Sequence, residues 1–434
     1  MYFSFKFSFC IILLINPILC YDPPPRMHHN SVIIDNRLLI FGGFISFTTS
    51  ANDFFYLDLS NSFNNANISW NLIVEGSLPI NTWLSTSIVS LDNSTIFLIG
   101  GYMRNESTLD YDFSKKVYTY DYNNFPSSKW TPPSITGDNI PSRQQIRGVI
   151  DNSGVVYIYS GLNTTVLTGE KFLGVMFNDM NIFNTISLTW SNLDISENRP
   201  LPTSDYSANI LPSGIIVYIG GQEDTGGTNF TLTKMENIKL FDTKKLEWSY
   251  MNATGDAIDP RWLFTSVLTP DGYIIIFGGC THDYTNVSFK FAVLDTNKSP
   301  YEWSIPDSSK SNLPPSIYGH SANLYYDYMI IAFGFNMDTQ LYSSQVYLYN
   351  IKSNTWVKTF NPVEPAITTT FGPSTTNIIL PAKKSSKTLA IGLSLGIGGA
   401  AIIIIFTATF IIFYKNKKNK TREGILIIAG SSEN

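Results

Sequence analysis

Four histidines and three cysteines supply all the imidazole and thiol groups of this 434-residue chain. Their placement limits the chemistry open to it. Cys280 and His282 form a Cys-x-His pair directly after Gly279, while His28, His29 and His320 stand far away in sequence. Two ligands do not make a closed metal site, which takes four, so neither a metal nor a cofactor is expected. The Gly-x-Ser-x-Gly run from Gly392 to Gly396 has the spacing of a hydrolase elbow. It lies in a long apolar stretch, however, and not on the strand-to-helix turn an elbow needs. The carboxylate pairs Glu223-Asp224 and Asp110-x-Asp112 read as solvated loop residues, with too few alternating oxygens for a calcium loop. No catalytic residue is expected.

The two ends of the chain address it to a membrane. Residues 1–20 read as a signal peptide, with Lys6 its only charge and an apolar run from Phe7 to Ile15 before a cut at Tyr21. Residues 389–414 carry no charge and as a helix would measure about 39 Å, enough to cross a bilayer core with tilt. Lys415, Lys417, Lys418, Lys420 and Arg422 follow in a short basic tail, residues 415–434. This is the positive-inside pattern of a type I protein of the plasma membrane or secretory pathway, with the preceding residues outside. Gly392 and Gly396 are spaced for close helix pairing, so weak dimerisation through the span is a further expectation. Eight sequons, at Asn67, Asn93, Asn105, Asn163, Asn229, Asn252, Asn286 and Asn297, make these asparagines glycosylation candidates. Residues 21–362 hold 31 acidic and 20 basic side chains, a net charge of −11. That sign excludes a nucleic-acid partner.

Between these ends the sequence repeats. Apolar runs end in glycine pairs at Gly42-Gly43, Gly100-Gly101, Gly220-Gly221 and Gly278-Gly279, with degenerate pairs at Ser160-Gly161 and Phe333-Gly334. The successive steps are 58, 60, 60, 58 and 55 residues. One Trp follows each pair: Trp70, Trp130, Trp190, Trp248, Trp303 and Trp356. Before each Trp, an apolar run closes in Asp58, Asp121, Asn184, Asp242, Asp295 or Asn350. Trp83 and Trp262 fall outside this register. A fixed period with turn residues at fixed offsets marks a repeat array. Each unit reads as four strands; in the fourth they span 206–211, 215–221, 237–242 and 247–251. Six units of four antiparallel strands over residues 21–360 predict an all-β, six-bladed propeller. The glycines permit positive φ, the Asp or Asn accepts backbone N–H groups in the next turn, and the Trp covers the next blade. Residues 361–388, rich in Pro, Thr, Ser and Lys, read as a stalk.

The pattern resembles the kelch family: Pro-Arg-x-His-His-x-Ser at Pro25 to Ser31, Phe-Gly-Gly at Phe41 to Gly43, Tyr-x-Asp at Tyr56 to Asp58, then Trp70. Arg143, Arg261 and His320 recur at matching opening positions. The third unit departs most, and the second has Trp83 where Arg or His stands elsewhere. The resemblance implies a recognition module that binds a protein or glycan ligand through one face. The long connections between second and third strands, 102–115, 162–178 and 222–236, gather on that face. Two alternatives accompany it. Copper-radical oxidases share kelch-type blades, but their site takes two Tyr, two His and a Cys crosslinked to Tyr, which these residues do not assemble. A purely structural or adhesive ectodomain would have no saturable ligand.

Overall fold

The computed structural model describes residues 21–46, 49–108, 110–168, 171–226, 230–306 and 313–362. The leader, the span with Gly392 and Gly396, the tail and nearly all of the stalk lie outside them, as does Asn229. No helix among the described residues is long and apolar enough to cross a membrane.

Each repeat folds into one antiparallel sheet whose strands follow chain order. The first consists of Asn30–Ile34, Arg37–Phe41, Phe54–Asp58 and Trp70–Leu72. The fourth, of Ser207–Ile210, Ile215–Ile219, Asn237–Asp242 and Glu247–Asn252, departs from the expected bounds only at strand ends. Six such sheets are present among the described residues, and the third and fifth each gain a short parallel strand at the outer edge. The second strands are apolar because both their faces are covered: in Arg37–Phe41 and Ile215–Ile219 every residue but the first is buried.

Six apolar clusters fill the spaces between neighbouring sheets, and each holds one in-register Trp. The expected direction of that contact is corrected. Trp130 packs on Phe41 and Phe54 of the preceding sheet, at 4.9 and 5.6 Å between ring centroids. Trp248 likewise meets Tyr159 of the preceding sheet at 4.7 Å, and Trp70 meets Phe333 of the sixth sheet at 5.5 Å. The ring leaves the outer strand on the face turned toward the earlier repeat, so the Trp closes the interface behind it.

The first and sixth sheets are joined at the seam by both ends of the described chain. Thr359–Phe360 pairs with Phe63–Asn64, and the Phe360 and Phe63 rings stack at 5.0 Å. Tyr21 donates its backbone N–H to the Trp70 carbonyl at 3.1 Å.

The turns opposite the glycine pairs are tied locally. Asp58, Asp121, Asn184, Asp242, Asp295 and Asn350 each accept a backbone N–H two or three residues on, at 2.8–3.1 Å. Trp248 is 2% exposed, so Trp248→Ala should cost about 3–5 kcal/mol. Denaturant unfolding should show this as a lower midpoint with an unchanged slope; a loss under about 1 kcal/mol would mean that the interface repacks.

Candidate binding site at the axis and the loop face

Near the entry to each first strand, one residue takes the left-handed conformation: His28, Leu84, Gln145, Asp205, Leu263 and Gly319, with φ between 53° and 63°. Only Gly319 does so without steric cost, since a side chain there is disfavoured by about 1–2 kcal/mol. The conformation turns these backbones toward the axis, where they bond from sheet to sheet. Leu84 N–H donates to His28 C=O (3.2 Å), Gln145 to Leu84 (2.9 Å), Asp205 to Gln145 (3.0 Å), Gly319 to Leu263 (3.0 Å) and His28 to Gly319 (2.7 Å).

The second glycine of five of the six pairs forms a parallel set of bonds. Gly43, Gly101, Gly161, Gly221 and Gly334 donate to Thr82, Arg143, Thr203, Arg261 and Arg26 of the following repeat at 2.8–3.1 Å. Backbone approaches this closely only where no Cβ intervenes: a Cβ on Gly42 would sit 2.7 Å from the Thr82 carbonyl oxygen. Ser160 and Phe333 keep the positive φ of the glycines they replace, at 55° and 62°. The Ser160 Oγ compensates by accepting the Thr203 N–H at 2.7 Å. Phe333 packs its buried ring against Phe55 and Trp70.

Arg26, Arg143 and Arg261 are buried beneath these turns and donate to the carbonyls of Gly42, Ser160 and Gly278 at 3.0, 2.8 and 3.2 Å. Arg26 and Arg143 also grip Asp53 and Asp179 with two bonds each. Arg261 has no carboxylate partner among the described residues, and burial lowers its pKa to about 10. His320 does not share their position. It matches His29 instead, and each ring reaches back to a hydroxyl of the preceding sheet: His29 Nε2 to Ser321 Oγ (2.8 Å), His320 Nε2 to Thr265 Oγ1 (2.7 Å).

Inside the ring lies a cavity of about 60 Å³ bordered by His28, His29, Gln145, Arg147, Asp205 and His320, among others. That volume holds a few water molecules. Burial pushes Asp205 up to about 7 and holds His28 at about 4, His320 at about 3 and His29 well below the ordinary value. No residue type repeats at the axial positions, so nothing in the repeat pattern pointed to this arrangement.

On the loop face, the connections expected as loops are short paired strands that extend the sheets outward. Tyr102–Arg104 pairs with Asn81–Trp83, Leu162–Thr168 with Lys171–Met176, and Gln222–Glu223 with Thr203–Ser204 and Thr231–Leu232. Trp83 and Trp262, the two out of register, belong to this crown. They end an aromatic arc in which successive ring centroids lie 5.2–6.5 Å apart: Trp83, Phe44, Tyr342, Phe335, Tyr318, Tyr284 and Trp262. Tyr111 adjoins it at 6.2 Å. The other side of the mouth is polar, with Gln144, Ser204 and Gln222 buried there.

Glu223 is not a solvated loop carboxylate. It pairs at 2.6 Å with Lys239, a buried lysine that no sequence pattern singled out. Cys280 and His282 are not brought together: Cys280 is buried with Met27, Trp262, Tyr318 and Met337, which pushes its thiol pKa up, and His282 is exposed. Among the described residues no three His, Cys, Asp or Glu side chains are grouped to hold a metal. Of the sequons, Asn105, Asn163 and Asn286 lie on the loop face, Asn93 and Asn297 in turns of the opposite face, and Asn67 and Asn252 at outer strands. All seven are partly or fully exposed.

The model of the KLHDC2/KLHL20/DRC7 Kelch-repeats domain matches residues 19–221 and 213–374. The chain belongs to the kelch-repeat family. Kelch domain-containing protein 3 of Rattus norvegicus is 25% identical over 267 residues, 59% of this chain and 64% of that protein. Acyl-CoA-binding domain-containing protein 5 of Arabidopsis thaliana is 23% identical over 302 residues, 67% of this chain but 41% of the relative. The kelch chain thus spans about two fifths of that plant protein's length. Among solved structures, that of YjhT superposes with a TM-score of 0.58 at 13% identity, covering 77% of this chain and 97% of its own. This likeness shows the β-propeller fold.

Two predictions follow from the charges of this kelch propeller. Asp205 binds its proton more tightly folded than unfolded, so its contribution to stability falls as pH rises from about 4 to about 7. The three axial histidines, all with lowered pKa, act oppositely, and their contribution is lost as pH falls below about 6.5. Stability should therefore rise from about pH 4 to about pH 6.5, because three histidines outweigh one carboxyl, and Asp205→Asn should steepen that rise; an unchanged slope in this variant would contradict the raised pKa of Asp205. Second, Glu223→Ala should cost about 3–5 kcal/mol by leaving Lys239 buried and unpaired. Asp224→Ala should stay within about 0.5 kcal/mol, and equal melting of the two variants would contradict the pairing.

Proposed function

We propose that this chain is a membrane-anchored kelch propeller whose loop face binds a protein or glycan ligand outside the cell or in the secretory lumen. The aromatic arc around the axial mouth carries this reading. Rings in mutual contact need only their inner edges covered by the fold, and several stay open: Tyr284 is 50% and Tyr111 39% exposed. Tyrosines held rigid in this way offer large contact area at low entropic cost, as in other recognition surfaces. The opposite face, by contrast, is built from short turns whose Asp and Asn side chains are already committed to backbone N–H groups.

In this reading the six sheets are the full set of blades, closed at the Phe63–Phe360 seam. The signal peptide and the span at 389–414 set the propeller outside, with residues 361–388 as its stalk, and the sequons are occupied. Neither 44–52 nor 335–345 contains a sequon, so glycans would frame the first and sixth repeats and leave their part of the arc uncovered. The protein acts by binding and not by catalysis. The first ligand class to test is protein, the role that the kelch propeller supports.

The test is a binding screen with the full chain in detergent, against peptide and glycan arrays, followed by variants on both faces. Tyr111→Ser and Tyr284→Ser should each weaken the ligand found by at least about tenfold without lowering surface expression. Lys352→Ala, in a turn of the opposite face, should leave affinity unchanged. Loss of binding in the Lys352 variant with normal binding in both tyrosine variants would move the site to the other face.

A further inference from the structure

The outer edge of a sheet presents N–H and C=O groups without ladder partners, onto which a strand of another chain can pair. Five of the six edges are covered or cut short by the chain itself. In the third sheet, Thr136 and Asp138 N–H donate to the carbonyls of Leu188 and Trp190 at 3.1 and 3.0 Å, and the Asp138 carboxylate accepts Asn192 N–H at 2.9 Å. The run Thr136-Gly137-Asp138 recurs as Thr254-Gly255-Asp256, which bonds Tyr301, Trp303 and Ile305 of the fifth sheet in the same way at 2.8–3.0 Å. In the first sheet the Trp70 carbonyl accepts Tyr21 N–H, and in the sixth the Lys358 carbonyl accepts Asn65 N–H at 2.8 Å. The second sheet ends in a two-residue strand, Trp130–Thr131, followed by Pro132-Pro133, which cannot donate.

The fourth edge differs. Its outer strand, Glu247–Asn252, is the longest of the six at six residues, and it carries one charge and no proline. By correspondence with Trp190 and Asn192, and with Trp303 and Ile305, the Trp248 carbonyl and the Tyr250 N–H point outward. Neither has a partner among the described residues. The linker that precedes this sheet, residues 194–202, lacks a Thr-Gly-Asp run. Its one hydrogen bond to the strand, among the described residues, runs from the Tyr250 hydroxyl to the Asn198 carbonyl at 3.1 Å. Asn252 closes the strand and opens the sequon Asn252-Ala253-Thr254. Its side chain is exposed and leaves the strand on the same face as Tyr250.

We propose that an N-linked glycan on Asn252 covers this edge, and that without it two copies of the chain pair edge to edge. The inference rests on the propeller standing outside the cell or in the secretory lumen, where sequons are modified. In an antiparallel register centred on Tyr250, outward groups meet outward groups: Tyr250 faces Tyr250 and Trp248 faces Asn252. Glu247 then faces Ala253, so no like charges oppose each other. Such a contact is isologous and closes as a dimer. A bulky, hydrated glycan on Asn252 stands where Trp248 of the second copy would lie, and keeps the strands apart.

The experiment uses the full chain, made in a secretory host and purified in detergent. Glycopeptide mass spectrometry should find Asn252 occupied. A bare Asn252 with glycans at other sequons overturns this inference alone, whereas no glycan at any sequon overturns the secretory reading as well. Light scattering on size-fractionated protein should show Asn252→Gln at about twice the protein mass of the unaltered chain. Asn67→Gln, which loses a glycan beside an edge already bonded to Tyr21, should keep the unaltered mass. Hydrogen exchange of residues 247–252 should slow in the associated variant, and adding Tyr250→Pro, which removes an outward N–H, should restore the unaltered mass. An Asn252→Gln chain that keeps the unaltered mass, or equal association of the two glutamine variants, overturns the proposal. Should the proline variant fail to fold, exchange decides: slowing at 247–252 in associated Asn252→Gln supports edge pairing, and unchanged exchange there contradicts it.

Discussion

Everything in this propeller depends on sheet-to-sheet backbone bonding around the axis. Two tiers of it are present: the left-handed residues that end at His28 and Gly319, and the second glycines that donate to the next repeat. Each interface between neighbouring sheets carries at least one of these bonds, and the interface between sixth and first carries both, Gly334 to Arg26 and His28 to Gly319. The seam is thus held by the same contacts as the rest of the ring. Buried N–H and C=O groups at a crowded axis must find partners. Here each repeat satisfies its neighbour, at the cost of five non-glycine residues in a disfavoured conformation.

What the sequence made legible were features that need a particular side chain. The glycine pairs show because a Cβ at Gly42 or Gly100 would strike a neighbouring carbonyl. The six Trp show because each fills one interface, and the Asp or Asn because one short acceptor ties each turn. The axial positions were illegible for the converse reason. Their role is performed by the backbone, so His, Leu, Gln, Asp and Gly serve alike. Which neighbour a Trp covers depends on the face of the outer strand its ring leaves from, and the spacing between repeats does not show that face. The crown was hidden too, since its paired strands are only two to seven residues long, too short for periodicity to show. A signal for it did exist in Trp83 and Trp262, the two tryptophans that the repeat did not need.

Departures from symmetry locate the distinctive chemistry of this chain. Arg26 and Arg143 have bidentate carboxylates. In the fifth repeat Lys290 stands where those carboxylates would be, immediately before the third strand, and Arg261 keeps only carbonyl partners. The fourth repeat has Thr203 at the arginine position and closes the gap with Lys239 and Glu223, the lysine bonding Thr203 Oγ1 at 2.9 Å. The aromatic arc runs over the second, first, sixth and fifth repeats, while the third and fourth border the mouth with polar groups. A propeller with identical blades would offer a uniform rim; this one is divided into an aromatic and a polar side, with a charged cavity beneath.

Hydrogen exchange followed by mass spectrometry on the full chain tests the axial ring most directly. Peptides covering 24–30, 82–87, 143–148, 203–208 and 317–322 report the amides that bond across the axis. If the ring holds the six sheets as one unit, these amides exchange only through global unfolding, at a common rate that Trp248→Ala raises equally in all five peptides. Exchange at separate rates, with the Trp248 variant loosening only the third and fourth repeats, would show that the sheets open singly and that the axial bonds do not bind them together.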